Sequence, residues 1–182
     1  MAEIVTPAPV KLIVGMLSAR ADLLGRAVER LEGAYGPVDV TGEVMEFGFT
    51  DYYERQMGKG LLRQFVAFGR LIDPGEIGPI KIATNAMEAE FAATDAPPPR
   101  PVNLDPGYVT ESKLVLASTK DFSHRIYLGG GIFAEVTLTY SHGRWTGHQW
   151  TFPDYASGAY DAFLDAARRK LRSQLGRKER RE

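Results

Sequence analysis

The chain has 182 residues, of which 44% are hydrophobic and 25% charged, and its formal net charge is −1. This length and composition fit one globular domain and exclude a disordered chain. No apolar run approaches the roughly 20 residues that span a bilayer. The absence of cysteine excludes disulfides and thiolate zinc sites. We expect a cytoplasmic protein with no membrane partner.

Charge is unevenly distributed along the chain. From Arg168 onward, eight basic residues stand against two acidic ones. Such an end can bind nucleic acid or an anionic surface, or it can complement a helix dipole and continue as a solvated tail. No aromatic residues interleave these charges as a base-stacking surface requires. We therefore predict a single α+β domain over residues 1–176 and a basic, solvated tail over 177–182.

The first half of the chain alternates between strand and helix patterns. An apolar run over residues 10–17 favours a buried strand, and Ser18 can cap the helix that follows. Apolar positions recur there at helical spacing: Leu24, Ala27, Val28, Leu31 and Tyr35. Gly36-Pro37 ends this helix. Strands are predicted over 38–49 and 62–72, followed by a turn at 73–75. Pro79 can open a second helix with Ile80, Ala83, Met87 and Phe91 on one face.

The middle of the chain is rich in proline and glycine. Residues 94–101 contain three consecutive prolines and predict an extended connector. Asp105-Pro106-Gly107 predicts a tight turn. The run 110–120 is ambiguous, because Thr110 and Glu111 suit a helix start while the following Leu-Val-Leu suits a strand. The interpretation that we favour is a helix.

Three glycines at 129–131 separate two alternating segments and predict a β-hairpin. This register places Leu128 opposite Ile132, Tyr127 opposite Phe133 and Arg125 opposite Glu135. The core face then carries Ile126, Leu128, Ile132, Ala134, Val136 and Leu138. A further turn near His142-Gly143 returns the chain, and Ser157 can cap a last helix with apolar residues Tyr160, Phe163, Leu164, Ala167 and Leu171.

These elements predict an α+β fold with a mixed or antiparallel sheet of five to seven strands and helices mainly on one face. The β-α-β-β-α order at the start resembles a ferredoxin-like unit, extended by the hairpins.

Several familiar chemistries are excluded by their missing motifs. The sequence has no G-x-x-x-x-G-K-[ST] phosphate loop and no G-x-S-x-G nucleophile elbow. The three glycines join two strands, whereas dinucleotide binding needs glycines between a strand and a helix. The three histidines lack metal-site spacing, so we predict no metal site. The sequence points to no particular cofactor and leaves the oligomeric state open.

Candidate site residues concentrate between 103 and 135. Lys120 and Arg125 can bind a phosphate or carboxylate, and Asp105 and Tyr127 are further candidate ligand-binding residues. His124 or Glu135 can act as general acid or base. Simpler readings stay open, because Arg125 can merely pair with Glu135, and Asp105 can merely bond its own backbone.

Two further segments carry polar and aromatic side chains. Asp51 and Tyr53 lie in a loop between two predicted strands, where they can contact a ligand. The alternative is a capped helical turn with its tyrosines buried over the core. Residues 153–155 are interpreted as a turn into the last helix.

Three functions fit this pattern. The first is binding of a small anionic ligand that bears a phosphate or carboxylate, a class that includes nucleotides. The second is an enzyme at the same site, in which Arg125 stabilises developing negative charge. The third is an RNA- or protein-binding adaptor that uses the basic tail.

Five strings in this order, TDYYERQMG, NLDPGY, LVLASTKDFSHRIYL, GIFAEVTL and WTFPDY, resemble the bacterial family called domain of unknown function 4416. The resemblance covers nearly the whole chain. Members often carry an automatic label of GTP-binding protein, which the missing phosphate loop does not support here. The family implies no established catalytic residues.

Overall fold

The computed structural model describes residues 3–176, so the predicted tail at 177–182 lies outside the described residues. Within this range nine strands form one antiparallel sheet. They are β1 (Val10–Ser18), β2 (Val38–Thr41), β3 (Met45–Glu46), β4 (Leu62–Ile72), β5 (Asn103–Val109), β6 (Lys113–Ser118), β7 (Ile126–Gly129), β8 (Ile132–Ser141) and β9 (Arg144–Gly147). The helices are α1 (Ala21–Tyr35), α2 (Glu54–Met57), α3 (Ile77–Asp95), α4 (Pro153–Ala156) and α5 (Asp161–Gln174), with 3-10 turns at Asp51–Tyr53 and Pro74–Glu76.

The α+β class and the ferredoxin-like start are confirmed. Strands β2, β4, β1 and β5 are neighbours in that order, and α1 and α3 form the crossovers. This order is that of a split β-α-β unit. Strands β6, β8 and β7 extend the same sheet, β3 pairs with β4, and β9 pairs with β8. These additions bring the described sheet to nine strands, more than the five to seven predicted.

Helices cover both faces of the sheet. Alternate residues of β1 point to opposite faces. Leu12, Val14 and Met16 pack with buried residues of α1 and α3. Ile13 packs on the other face with buried residues of α5. The apolar faces predicted for α1 and α5 are largely buried as expected. None of the helices within residues 3–176 is long and apolar enough to cross a membrane.

Two predicted caps are wrong. Ser18 does not cap α1, because its buried hydroxyl donates to the carbonyl of Pro101 at 2.8 Å and accepts from the backbone N–H of Arg20. It therefore fixes the end of β1 against the segment that leads into β5. Ser157 does not cap α5, because it ends α4 and its hydroxyl donates to the carbonyl of Asp154.

Residues 103–120 contain two further errors of prediction. The predicted tight turn at 105–107 is the middle of β5, paired with β1 along its whole length. The predicted helix over 110–120 is strand β6, which pairs with β8. Pairing within the sheet is the physical reason for both errors. Gly107 allows β5 and β6 to approach closely, because a Cβ at this position would lie 2.4 Å from the carbonyl oxygen of Val115.

The hairpin forms with the predicted pairing of Tyr127 with Phe133. A register shift follows, so Gly129 rather than Leu128 lies opposite Ile132. The predicted core face is wrong for β7, where Ile126 and Leu128 are 71% and 45% exposed. The physical reason is that β7 is an edge strand, so its side chains are only partly covered. On β8, Ile132, Ala134 and Leu138 are buried as predicted.

Candidate functional site

The sheet splits between β5 and β6. Their ladder ends at the pair Gly107 and Leu116. Beyond it, residues 103–106 pair only with β1, and residues 117–118 pair only with β8. Pro106 stands at the divergence and has no N–H to offer a neighbouring strand. The gap gives side chains from both faces access to one space.

A cavity of about 510 Å³ lies at this split. Its volume is within the range of small-molecule sites. The lining comes from strands β4, β5, β6 and β8, from helices α3 and α4, and from the segments that follow β3, precede β5, join β6 to β7 and precede α4. Its residues are Phe47, Phe49, Thr50, Tyr52, Tyr53, Arg63, Lys81, Arg100, Asn103, Asp105, Leu116, Ala117, Ser118, Thr119, Lys120, Arg125, Glu135, Phe152, Pro153, Asp154 and Tyr155.

Arg63 on β4 forms the centre of the first charged cluster. Its side chain is 4% exposed and donates to Asp105 at 3.3 Å and to Asp154 at 3.5 Å. The guanidinium carbon lies 4.9 Å from the ring centre of Phe47. Burial acts to lower the pKa of Arg63, but Tyr155 and the two carboxylates raise it overall, so the guanidinium stays charged. Its Nε is buried and has no partner in the described part of the chain.

The two carboxylates that share Arg63 differ in environment. Burial raises the pKa of Asp154, despite the nearby Arg63 and a hydrogen bond from the Tyr160 hydroxyl. Burial also acts on Asp105, but Lys81 and Arg63 outweigh it and lower the pKa of that carboxyl. Asp105 additionally accepts from the Asn103 amide at 2.6 Å, and its side chain is 28% exposed. Asp105 is thus an ionised acceptor that a ligand can reach.

Arg125 and Glu135 form a second charged cluster on the β8 side. Arg125 Nε donates to Glu135 Oε2 at 2.8 Å, and the two side chains are 5% and 2% exposed. His124 Nε2 lies 3.0 Å from the same oxygen, and Thr137 donates to the other one. Arg125 also donates to the Ser118 hydroxyl and to the Lys120 carbonyl. These contacts hold the side chains of Arg125, Glu135 and His124 together beside β6.

Two cations of the lining are more exposed. Lys120 donates to the Tyr52 hydroxyl at 3.0 Å, and its ammonium lies 4.7 Å from the centre of that ring. Arg100 is 32% exposed and pairs with Glu88 at 2.8 Å. The lining that the structure describes therefore holds five cations, Arg63, Lys81, Arg100, Lys120 and Arg125, against three carboxylates, Asp105, Glu135 and Asp154.

Most of the predicted site residues meet here. Lys120, Arg125, Asp105, Glu135 and Tyr53 all line the cavity. His124 is not in the lining and reaches it through Glu135. Its ring stacks on Trp150 at 5.2 Å. Tyr127, 60% exposed, packs on Phe133 instead.

The loop that holds Asp51 partly follows the alternative interpretation. Asp51 begins a 3-10 turn, and its side chain lies outside the described part. Tyr53 is half-buried against Phe47, whereas Tyr52 is 65% exposed. The tyrosines are therefore not both buried over the core.

Sequence reasoning missed Arg63, Lys81, Arg100 and Asp154. Arg63 is a charge inside an apolar strand, and Lys81 is a buried cation among apolar residues of α3. Charges in such places need partners, and this is the signal that could have marked them. Asp154 was interpreted as part of a turn. It lies in α4, only 4% exposed.

No group of three His, Asp or Glu side chains in residues 3–176 lies close enough to hold a metal ion. The buried hydroxyl of Tyr155, at the same cavity, has no hydrogen-bond partner within the described range.

Fold and cavity together define an α+β protein with a basic, aromatic-lined cavity at a split in its sheet. Residues 8–171 match the family described as Domain of unknown function (DUF4416), and the chain belongs to that family. Comparisons with curated proteins and with solved structures give no match. All five strings that carry the family resemblance contribute residues to the cavity.

Proposed function

We propose that the protein binds a small anionic ligand, bearing a phosphate or carboxylate, in the cavity at the sheet split. The observation that carries this proposal is the excess of cations over carboxylates among the described lining residues. An anion would balance that excess in a space partly shielded from water, where charge-assisted hydrogen bonds are strong.

Lys120 is the cation best placed to meet an entering ligand. It is exposed, and it donates to the neutral hydroxyl of Tyr52 rather than to a carboxylate. Arg63 and Asp105 lie deeper, so the cavity offers a cation near its mouth and both an acceptor and a cation further in. Nucleotides, sugar phosphates and small carboxylates all fit this description.

Titration calorimetry with phosphate, pyrophosphate, a nucleoside triphosphate and succinate tests the proposal. At least one should bind the parent protein, and Lys120→Ala should weaken that binding about tenfold or more. A hydrogen bond to a charged group contributes about 1.5–3 kcal/mol, and 1.4 kcal/mol corresponds to tenfold. The affinity should also fall as ionic strength rises.

Lys59→Ala is the matched control, because Lys59 is an exposed lysine that does not line the cavity. It should leave the affinity unchanged. Equal losses in both variants would show only a general charge effect, and the proposal would then be wrong. Failure of every anion to bind the parent would also refute it.

An enzyme at the same cavity is the second candidate. Asp154 and Asp105 share Arg63, and their environments move the two pKa values in opposite directions, as in many acid–base pairs. The roles predicted for His124 and Glu135 as acid or base stay predictions. Turnover of a bound phosphate ester, lost in Asp154→Asn while binding persists, would support this candidate.

The adaptor hypothesis depends on the basic residues from Arg168 onward, some of which already contact other residues of the domain. Arg168 donates to the Glu111 carbonyl, and Lys170 lies 4.0 Å from Asp39. Removal of residues 177–182 that abolishes a salt-sensitive association with RNA would favour it. The cytoplasmic location stays a prediction.

A further inference from the structure

Three aromatic rings stand exposed in the lining of the cavity. Phe49, Tyr52 and Phe152 are 43%, 65% and 46% exposed. Apolar surface left in contact with water is unfavourable, and groups of such residues commonly mark a binding site. Their presence beside five cations is not explained by anion binding alone.

The rings are supported from behind. Phe49 packs on Phe47 with ring centres 5.8 Å apart, and Tyr52 packs edge-on against Tyr53 at 5.2 Å. Phe47 is buried, so this side of the cavity is a fixed aromatic wall rather than a set of loose side chains. Phe152 comes from a different segment, directly before α4.

A cation is built into the same wall. Lys120 both donates to the Tyr52 hydroxyl and lies over that ring. A ligand that places a ring against Phe49 or Phe152 would therefore bring a substituent on that ring close to positive charge. Planar rings gain from stacking or edge contacts with other rings, which a saturated ring of equal size lacks.

From these contacts we infer that the ligand class is an aromatic anion, a planar ring that carries a phosphate or carboxylate. This inference rests on the proposed function and narrows it. The exposed rings hold the planar part, while Lys120 and the deeper cations hold the anionic part. A simple inorganic anion would contact the cations of the cavity but not its exposed aromatic rings.

The test compares probes of equal charge. Phenyl phosphate, cyclohexyl phosphate and inorganic phosphate form one series, and benzoate, cyclohexanecarboxylate and acetate form the other. Calorimetry at fixed ionic strength should show the aromatic member of at least one series binding about tenfold tighter than the other two, which corresponds to 1.4 kcal/mol.

Phe49→Leu and Phe152→Leu remove the ring and keep apolar bulk. They should reduce the aromatic preference at least threefold and leave the affinity for the simple anion unchanged. The matched control is Phe122→Leu, since Phe122 is 60% exposed but does not line the cavity. That variant should keep the full preference.

Equal binding of the planar and saturated rings would overturn the inference, and so would an aromatic preference that survives both leucine variants. In either case a simple anion that binds through Lys120 would leave the proposed function intact. If no probe of either series binds the parent, the inference is overturned, while the proposed function stands if pyrophosphate, the nucleoside triphosphate or succinate binds through Lys120.

Discussion

Two buried arginines line the same cavity and are satisfied very differently. Arg125 donates to Glu135 at 2.8 Å and to two further oxygens, and Glu135 in turn accepts from Thr137 and contacts His124. Arg63 has longer contacts of 3.3 and 3.5 Å with its two carboxylates. Its Nε has no partner among the described residues.

We propose that this difference separates a positioning role for Arg125 from a binding role for Arg63. Arg125 donates to oxygens of three residues, so it joins β6, β8 and the segment before β7 around the cavity. Arg63 retains hydrogen-bonding capacity at the junction of β4, β5 and α4. A buried charge with incomplete partners is costly, and such costs are commonly tolerated at functional sites. We therefore regard the Arg63 cluster as the centre of the site.

The largest expected effect follows replacement of Arg63 by Met. This change leaves Asp154 and Asp105 without their shared counter-charge in a buried position. Loss of one partner from a buried ion pair costs about 3–5 kcal/mol. Urea unfolding should show a decrease of that size in the free energy of unfolding.

Arg70→Met is the matched control on the same strand. Arg70 pairs with Glu76 at 3.5 Å, and both side chains are largely exposed. Pairs of this kind contribute at most about 1 kcal/mol. Similar losses in the two variants would remove the special status that we assign to Arg63.

Double-mutant cycles give the next largest effect and sharpen the comparison itself. For Arg125 and Glu135, the variants Arg125→Met and Glu135→Gln should couple by about 2–3 kcal/mol, near the upper end for residues in contact. For Arg63 and Asp105, coupling should be about 1 kcal/mol. The contact is longer, and Lys81 and Asn103 also hold Asp105. The reverse order would contradict our distinction between the two arginines.

Much of the fold could be predicted from the sequence because its signals are local. The spacing of apolar residues in α1 and α5 predicts their buried faces, and the three glycines predict the hairpin that brings Arg125 to Glu135. The β-α-β-β-α order is also a local property of the chain. Lys120 and Asp105, which were grouped because they lie near each other in sequence, both line the cavity.

The split of the sheet could not be predicted in this way. Asp105-Pro106-Gly107 has the composition of a turn, yet tertiary pairing with β1 makes it a strand. Arg63 and Asp154 are 91 residues apart, and only the packing of α4 against the sheet brings them together. The cluster of Arg63, Asp105 and Asp154 therefore depends on contacts between residues far apart in the sequence.

A smaller effect is expected from a methyl group at Gly15. A Cβ there would lie 2.8 Å from Phe65 Cε1 and 3.3 Å from a guanidinium nitrogen of Arg63. Overpacking of this kind costs about 1–3 kcal/mol, so Gly15→Ala should destabilise the protein and weaken ligand binding. Gly25→Ala in α1 has nothing within 4 Å. Gly25→Ala should instead raise the free energy of unfolding by up to about 1 kcal/mol. If both variants changed the free energy of unfolding in the same direction, the space at Gly15 would not be needed for the packing of Arg63.

The subtlest expected effect is a change in how stability depends on pH. The folded-state pKa of Asp154 is raised by burial, so this carboxyl keeps its proton to higher pH when folded than when unfolded. Its contribution to the free energy of unfolding therefore falls as pH rises above the ordinary Asp value of about 3.9. The pKa of Asp105 is lowered, because Lys81 and Arg63 outweigh burial. Its contribution is present above that ordinary value and is lost as pH falls below it.

The two carboxylates thus act in opposite directions on either side of about pH 3.9. Urea unfolding between about pH 2.5 and 7 should show that Asp105→Asn flattens the acid limb of the stability profile. Asp154→Asn should remove the loss of stability that Asp154 causes as pH rises above the ordinary Asp pKa. Each variant serves as the control for the other, because both remove one carboxylate from Arg63 and only the slopes are compared. Two outcomes would contradict this expectation: Asp154→Asn steepens the loss of stability above that pH, or both variants flatten the same limb of the profile. Either result would mean that Asp105 and Asp154 do not differ as a reachable, ionised acceptor and a buried acid.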